Sequence, residues 1–201
     1  MLRVGLTGGL ACGKSFVGEA LKGMGCLLIQ ADEIGHAVLA KSGPVFKSVV
    51  DEFGTGILNA EGEIDRKVLA TDVFSDPERL ARLNALVHPA VVKREEQLIS
   101  QFERRDAEGI AVVEAAILIE TGSYQRFDRL ILVVCKEEQQ VERAMRREGA
   151  AESDVRARLS SQMSLDEKRK YADFVIDTTG TKEDTLRQTR AVYDALRREQ
   201  P

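Results

Sequence analysis

Short apolar runs alternate along this chain with longer stretches in which apolar residues recur every three or four positions. Leu2 to Leu6, Cys26 to Ile29, Ile110 to Val113, Leu130 to Cys135 and Phe174 to Ile176 are short and almost uniformly apolar. That is the signature of strands buried on both faces. Between the first two runs, Val17, Ala20, Leu21 and Met24 stand at i, i+3, i+4 and i+7, one face of a helix, and Gly23 and Gly25 supply stop signals. Ile34 to Leu39 continues as a helix for which Asp32 is the N-cap candidate. At the other end, Thr181 and Asp184 have the spacing of a capping box before the face Leu186, Thr189, Tyr193 and Leu196. Strands alternate with helices and no hairpin signal separates them, which predicts an α/β protein with a parallel sheet and helices on both faces.

Two segments depart from that alternation. Pro44 to Arg105 reads helical almost throughout, with a turn region from Gly54 to Gly62 and an N-cap at Asp76 before a helix-starting Pro77. His88-Pro89 predicts a further break, because the residue before proline avoids the helical region, with a new helix through Val91, Val92, Leu98, Ile99 and Phe102. Ile117 to Glu120, after the third strand, predicts a short helix. From Lys136 to Lys170 the chain is rich in arginine and lysine interleaved with acids and has few large apolar residues, so it can build little core.

The chain has 201 residues, 43% of them hydrophobic, and a net charge of −4, which suits one globular domain and argues against general binding to nucleic acid or anionic membranes. No apolar stretch is long enough to span a bilayer, and the N-terminus lacks the layout of a signal peptide. Cys12, Cys26 and Cys135 are odd in number and show no metal-ligand spacing, which predicts reduced thiols in a cytoplasmic protein. Cys12 has two readings: a thiol made oxidisable by a helix N-terminus, or a small residue that fits its loop. His36 carries no local signal and reads as a surface residue.

Gly8-Gly9-Leu10-Ala11-Cys12-Gly13-Lys14-Ser15 fits G-x-x-x-x-G-K-[ST] and lies between the first strand and the first helix, the context that motif requires. Its glycines let the backbone curl until several N–H groups face one point, at which the following helix aims its positive end. A nucleotide phosphate suits that point: Lys14 would bridge the β- and γ-phosphates and the Ser15 hydroxyl would hold magnesium. Asp32, after the second strand, lies at the sheet edge where ligands of open α/β sheets bind. Glu114, after the third strand, reads either as an acid near the magnesium water shell or as a capping or surface acid. The arginines of Lys136 to Lys170, Arg143 and Arg147 among them, read either as a solvated helical hairpin or as a lid whose guanidinium groups close over a triphosphate.

These pieces resemble the dephospho-coenzyme A kinase family over nearly the whole chain. The resemblance is carried by Gly5-Leu6-Thr7-Gly8-Gly9-Leu10 with Gly13-Lys14-Ser15, Ala31-Asp32, Ile64-Asp65-Arg66, Val73-Phe74 with Asp76-Pro77, Leu83-Asn84 and His88-Pro89-Ala90-Val91. It continues through Gln140, Arg143, Arg147, Arg158 with Ser161-Gln162, Lys168, Ala172-Asp173, Val175-Ile176-Asp177 and Gly180. Gln30 stands where the family has an acid, Phe16 where threonine is common, and Ala116-Ile117-Leu118-Ile119-Glu120 where it tends to read Pro-Leu-Leu-Phe-Glu.

The resemblance implies a three-layer P-loop NTPase fold with a five-stranded parallel sheet, a helical acceptor-binding insert at about 33–107 and a helical lid at about 136–170. It implies transfer of the ATP γ-phosphoryl group, with Mg2+, to the ribose 3′-hydroxyl of dephospho-coenzyme A, the last step of coenzyme A synthesis. Asp32, Lys14, Arg143 and Arg147 would be catalytic; Gly8, Gly9, Ala11, Cys12, Gly13, Lys14, Ser15, Phe16 and Gly180 would bind nucleotide. Asp32, Arg66, His88 and Leu118 would bind the acceptor, and Ser15 and Glu114 the metal. The expected protein is a monomer or weak oligomer whose partner is the small-molecule acceptor. Another small-molecule kinase is the nearest rival, whereas a guanine-nucleotide switch would carry an Asn-Lys-x-Asp motif, which this sequence lacks.

Overall fold

In the computed structural model, residues 1–74 and 76–199 are described, Phe74 and Glu148 by backbone only, so the Phe74 side chain of the family resemblance lies outside the described residues. The strands are β1 (Leu2–Gly8), β2 (Leu27–Gln30), β3 (Ile110–Glu114), β4 (Arg129–Val134) and β5 (Phe174–Asp177). The helices are α1 (Lys14–Gly23), α2 (Ala31–Leu39), α3 (Phe46–Phe53), α4 (Arg66–Phe74), α5 (Pro77–Glu103), α6 (Glu137–Glu148), α7 (Glu152–Ser160), α8 (Leu165–Lys168) and α9 (Lys182–Arg198). Two compact units result, one of Met1–Ile29 with Gln101–Pro201 and one of Gln30–Ser100.

The five strands form one parallel sheet in the order β2-β3-β1-β4-β5. Leu6 is paired with Glu114 on one side and with Ile131 on the other, so β1 is central. The chain leaves β1 toward β2 and β3 on one side and later toward β4 and β5 on the other. That reversal opens a crevice at the carboxyl end of β1, which is where Gly8 begins the glycine loop. The strands are buried on both faces, as their apolar composition requires: Val4, Leu6, Val112, Ile131 and Val133 are inaccessible to solvent. Val17 and Leu21 of α1 and Val192 and Leu196 of α9 join the same core.

The α9 capping box is present: Thr181 Oγ1 accepts from Asp184 N–H at 3.1 Å and Asp184 Oδ2 accepts from Thr181 N–H at 3.3 Å. Its buried face, however, is Thr185, Thr189, Val192 and Leu196, with Leu186 exposed. A threonine hydroxyl in a helix can bond the carbonyl four residues back, as Thr185 and Thr189 do, so burying it leaves no polar atom unpaired.

Several local expectations need correction. The chain does not break at His88-Pro89: α5 runs from Pro77 to Glu103 with Pro89 inside it. An interior proline costs about 3 kcal/mol, and the good helix formers on both sides, with Ile99 buried further along, outweigh it. Ile117 to Glu120 makes hydrogen-bonded turns rather than a helix. Gly122, at φ 71°, and the bond from Tyr124 N–H to the Leu118 carbonyl turn the chain away after one turn. Asp32 is not the cap of α2 but its second residue, and Gln30 occupies the cap position, where its side chain makes no capping bond.

The charge-rich segment also builds more core than its composition predicts. Leu10 packs with Val141, Ala144 and Val155, and Lys168 is wholly buried. Lys168 Nζ meets Glu120 Oε1 at 2.7 Å and donates to the Ala116 carbonyl at 3.3 Å, so the buried ammonium is paired. Elsewhere the segment behaves as a solvated hairpin, with Arg156 held by Glu152 and Glu137. His36 is exposed in the last turn of α2, as expected.

Candidate active site

The glycine loop follows from three backbone constraints. At Gly8 a Cβ would lie 2.4 Å from the Val133 carbonyl oxygen, so no side chain fits as the loop leaves the sheet. Gly13 takes φ 87° and directly precedes α1, a left-handed conformation that glycine adopts without steric cost. Ala11, at φ 53°, adopts the same region without being a glycine. The loop ends on the first turn of α1, where the Phe16 and Val17 N–H groups bond the Gly13 carbonyl.

Functional groups converge on this loop within the first unit. Lys14 Nζ donates to the Gly8 and Gly9 carbonyls at 3.3 and 3.1 Å, so its ammonium lies over the loop's first half. Ser15 Oγ donates to Glu114 Oε1 at 2.8 Å. Glu114 is 7% exposed and ends β3 beside Leu6, which puts the third strand's acid next to the loop's hydroxyl. Two hard oxygen donors suit magnesium, which takes one or two protein oxygens and fills its shell with phosphate and water. No group of three or more His, Cys, Asp or Glu able to hold a metal occurs among the described residues.

Arg143, on α6, is fixed by its fork: Nη1 donates to Thr178 Oγ1 at 3.0 Å and Nη2 to the Thr178 carbonyl at 2.9 Å. Thr178 Oγ1 in turn donates to the Cys12 carbonyl at 2.8 Å, which ties the arginine to the glycine loop. Arg147 is exposed one helical turn further along α6. At the other end of the loop, Phe16 has the Lys182 ammonium 5.9 Å from its ring centroid. Gly180 lies beside the α9 cap, where a Cβ would stand 3.0 Å from Asp184 Oδ2.

Cys12 is fully buried with its Sγ 3.6 Å from that of Cys135. Its hydrogen-bonded contact with Cys135, in which the Cys12 thiol keeps its proton, and burial push Cys12 well above its ordinary range, against the opposing pull of Lys14. The reading of Cys12 as a small residue that fits the loop therefore holds, and that of a thiol activated by the helix N-terminus does not. Leu118 is also a packing residue, 5% exposed in a cluster with Ile119 and Leu130.

In the second unit, Asp32 is exposed in the first turn of α2. Arg66 is exposed at the first position of α4, after Asp65 accepts from the Lys67 and Val68 N–H groups. His88 is exposed within α5. Sequence reasoning missed Thr178. The available signal was its position directly after β5, the same strand-end rule that singled out Asp32.

The dephospho-CoA kinase family model matches residues 2–184. A relative from Aquifex aeolicus, a dephospho-CoA kinase, is 41% identical over 199 residues, which cover 99% of this chain and 100% of the relative. A crystal structure from Thermus thermophilus superposes with a TM-score of 0.80 at 33% identity, covering 97% of each chain. The dephospho-CoA kinase from Campylobacter jejuni superposes with a TM-score of 0.71 at 27% identity, covering 98% of this chain and 97% of the other. With family model, relatives and fold in agreement over almost its full length, the chain belongs to the dephospho-CoA kinase family.

Proposed function

We propose that the chain transfers the γ-phosphoryl group of ATP to the ribose 3′-hydroxyl of dephospho-CoA, giving CoA and ADP, the closing step of CoA synthesis. In that transfer a bond forms between the 3′-oxygen and the γ-phosphorus while the bond from that phosphorus to the β–γ bridging oxygen breaks. The hydroxyl proton passes to the Asp32 carboxylate, an exposed acid in the first turn of the helix that follows β2. Lys14, Arg143 and Arg147 neutralise charge developing on the transferred group and on the departing ADP.

Gly8, Gly9, Ala11, Cys12 and Gly13 supply the backbone of the phosphate cradle, and Phe16 and Gly180 border the nucleotide. Ser15 and Glu114 would hold magnesium, which when bound neutralises phosphate charge. Arg66 and His88, of the residue 30–100 unit, and Leu118, of the other unit, bind the acceptor. We assign the protein to the cytoplasm as a monomer or weak oligomer. Three buried cysteines free of disulfides suit a reducing compartment, and no helix among the described residues is long and apolar enough to cross a membrane.

The observation that carries this reading is the Ser15–Glu114 pair at the mouth of the glycine loop, in a chain of this family. Incubation with ATP, magnesium and dephospho-CoA tests it. Stoichiometric CoA and ADP are expected, with no comparable transfer to shikimate, gluconate or nucleosides. Nucleotide binding without phosphorylation of dephospho-CoA would overturn it.

A further inference from the structure

We infer that Gln140 and Gln162 are positioning residues that set the conformation of the phosphate loop by gripping the peptide groups of Leu10, an inference that rests on the phosphate-loop reading above. Gln140 Nε2 donates to the Leu10 carbonyl at 2.7 Å, and the Leu10 N–H donates to Gln162 Oε1 at 3.3 Å. Both polar groups of one loop residue are thus bound sideways, to side chains from α6 and from just beyond α7. The Leu10 side chain is held by the same elements, among Val141, Ala144 and Val155. Gln140 is 4% exposed, and a Cβ on Gly9 would lie 2.4 Å from its Nε2, so glycine at that position gives the amide its place.

What the grip holds is Ala11. Leu10 and Ala11 are the central residues of a turn closed by Cys12 N–H to the Gly9 carbonyl at 3.4 Å, and Ala11 takes φ 53° there. Glycine or asparagine normally supplies that conformation, and an alanine keeps it only where its surroundings over-determine it. Two restraints bracket it: Gln140 on the carbonyl before Ala11, and Thr178, held by Arg143, on the carbonyl after it. Gln140 and Arg143 lie three residues apart on α6, so one helix carries both restraints on the loop, Gln140 directly and Arg143 through Thr178. The charge-rich segment is accordingly a frame for the glycine loop.

The experiment compares ATP affinity by calorimetry, and KM for ATP against kcat, in the wild type, Gln140→Leu, Gln162→Leu and Gln140→Leu with Ala11→Gly. Each leucine variant is expected to weaken ATP binding about tenfold, as loss of a buried hydrogen-bond partner does, with kcat at saturating ATP changed much less. Ala11→Gly is expected to restore at least about threefold of the loss, because glycine adopts positive φ without the grip. A merely structural role for the glutamines predicts no such rescue, and an unrelieved loss overturns the inference. So does wild-type affinity in both leucine variants. A wild type that binds no ATP would overturn the phosphate-loop reading itself. If Gln140→Leu fails to melt cooperatively, Gln162→Leu with and without Ala11→Gly carries the same comparison.

Discussion

Ser15 Oγ and Glu114 Oε1 are joined by a 2.8 Å hydrogen bond across 99 positions of sequence. The contact exists because β1 and β3 are neighbours in register, so the end of β3 and the first turn of α1, after the loop that leaves β1, meet at the carboxyl edge of the sheet. Both oxygens suit magnesium, and the pair therefore makes a prediction about metal rather than about nucleotide. Glu114→Gln keeps a group able to meet the serine and removes the charge. The magnesium concentration for half-maximal rate should rise about 10- to 100-fold, with metal-free ATP binding little changed. An initial-rate titration checks this, and an unchanged magnesium dependence would remove Glu114 from the site.

Asp32→Asn keeps the shape of the first turn of α2 and removes a proton acceptor. Turnover should fall about 10²- to 10⁴-fold, the usual contribution of a general base, while ATP affinity stays nearly constant. Single-turnover transfer to dephospho-CoA separates the two quantities, and near-normal turnover would exclude Asp32 as the base.

Lys14 and Arg143 differ in how their cations are held. Lys14→Ala removes a point charge lying over the Gly8 and Gly9 carbonyls and should lower kcat about 10²- to 10³-fold. Arg143→Lys keeps the charge, but an ammonium cannot reproduce the two-pronged contact with Thr178, so a loss of about tenfold is expected. Equal kinetics for Arg143→Lys and wild type would show that charge alone matters at that position.

Lys168 is buried against Glu120, and removing one partner leaves the other charge without its counter-ion. Glu120→Leu, which leaves the wholly buried ammonium without its counter-ion, should cost roughly 3 kcal/mol, which lowers the melting temperature of a chain this size by roughly 6–12 °C. The double variant Lys168→Met, Glu120→Leu should recover much of that loss, because an apolar pair carries no desolvation penalty. Calorimetric melting of the three proteins decides it, and a single variant as stable as the wild type would contradict the pairing.

Burial pushes the Cys26 thiol up from 9.0 to about 12, partly opposed by Arg197. The folded form therefore keeps a proton that the unfolded chain releases, and the stability tied to this group is complete below about pH 9. It is lost as pH rises toward about 12. Urea unfolding of wild type and Cys26→Ala at pH 8, 9 and 10 should show a steeper alkaline decline in the wild type. Parallel declines would rule out Cys26 as the titrating group.

The strands, the glycine loop and the first and last helices were legible in the residues, because each depends on short-range periodicity or local backbone chemistry. The same reasoning failed at Pro89, which sits inside α5, and at Ile117 to Glu120, where Gly122 ends the turn. In both places local preference competes with packing further along the chain. Asp32 and Glu114 could be singled out because a parallel sheet exposes its ligand-binding edge after each strand. Thr178 obeys the same rule, but a neutral hydroxyl carries no charge signal in the sequence.

By itself the sequence determined the order of elements, the phosphate-binding loop and the family. These are written in residue types at fixed spacings and need no knowledge of distant neighbours. Only the tertiary structure decided that Glu114 bonds Ser15, that Cys12 is buried against Cys135, and that Gln140 and Gln162 hold the two sides of Leu10. Those contacts join residues about 100 or more positions apart, and which long-range pairs form depends on the order in which the strands assemble, which local spacing does not specify.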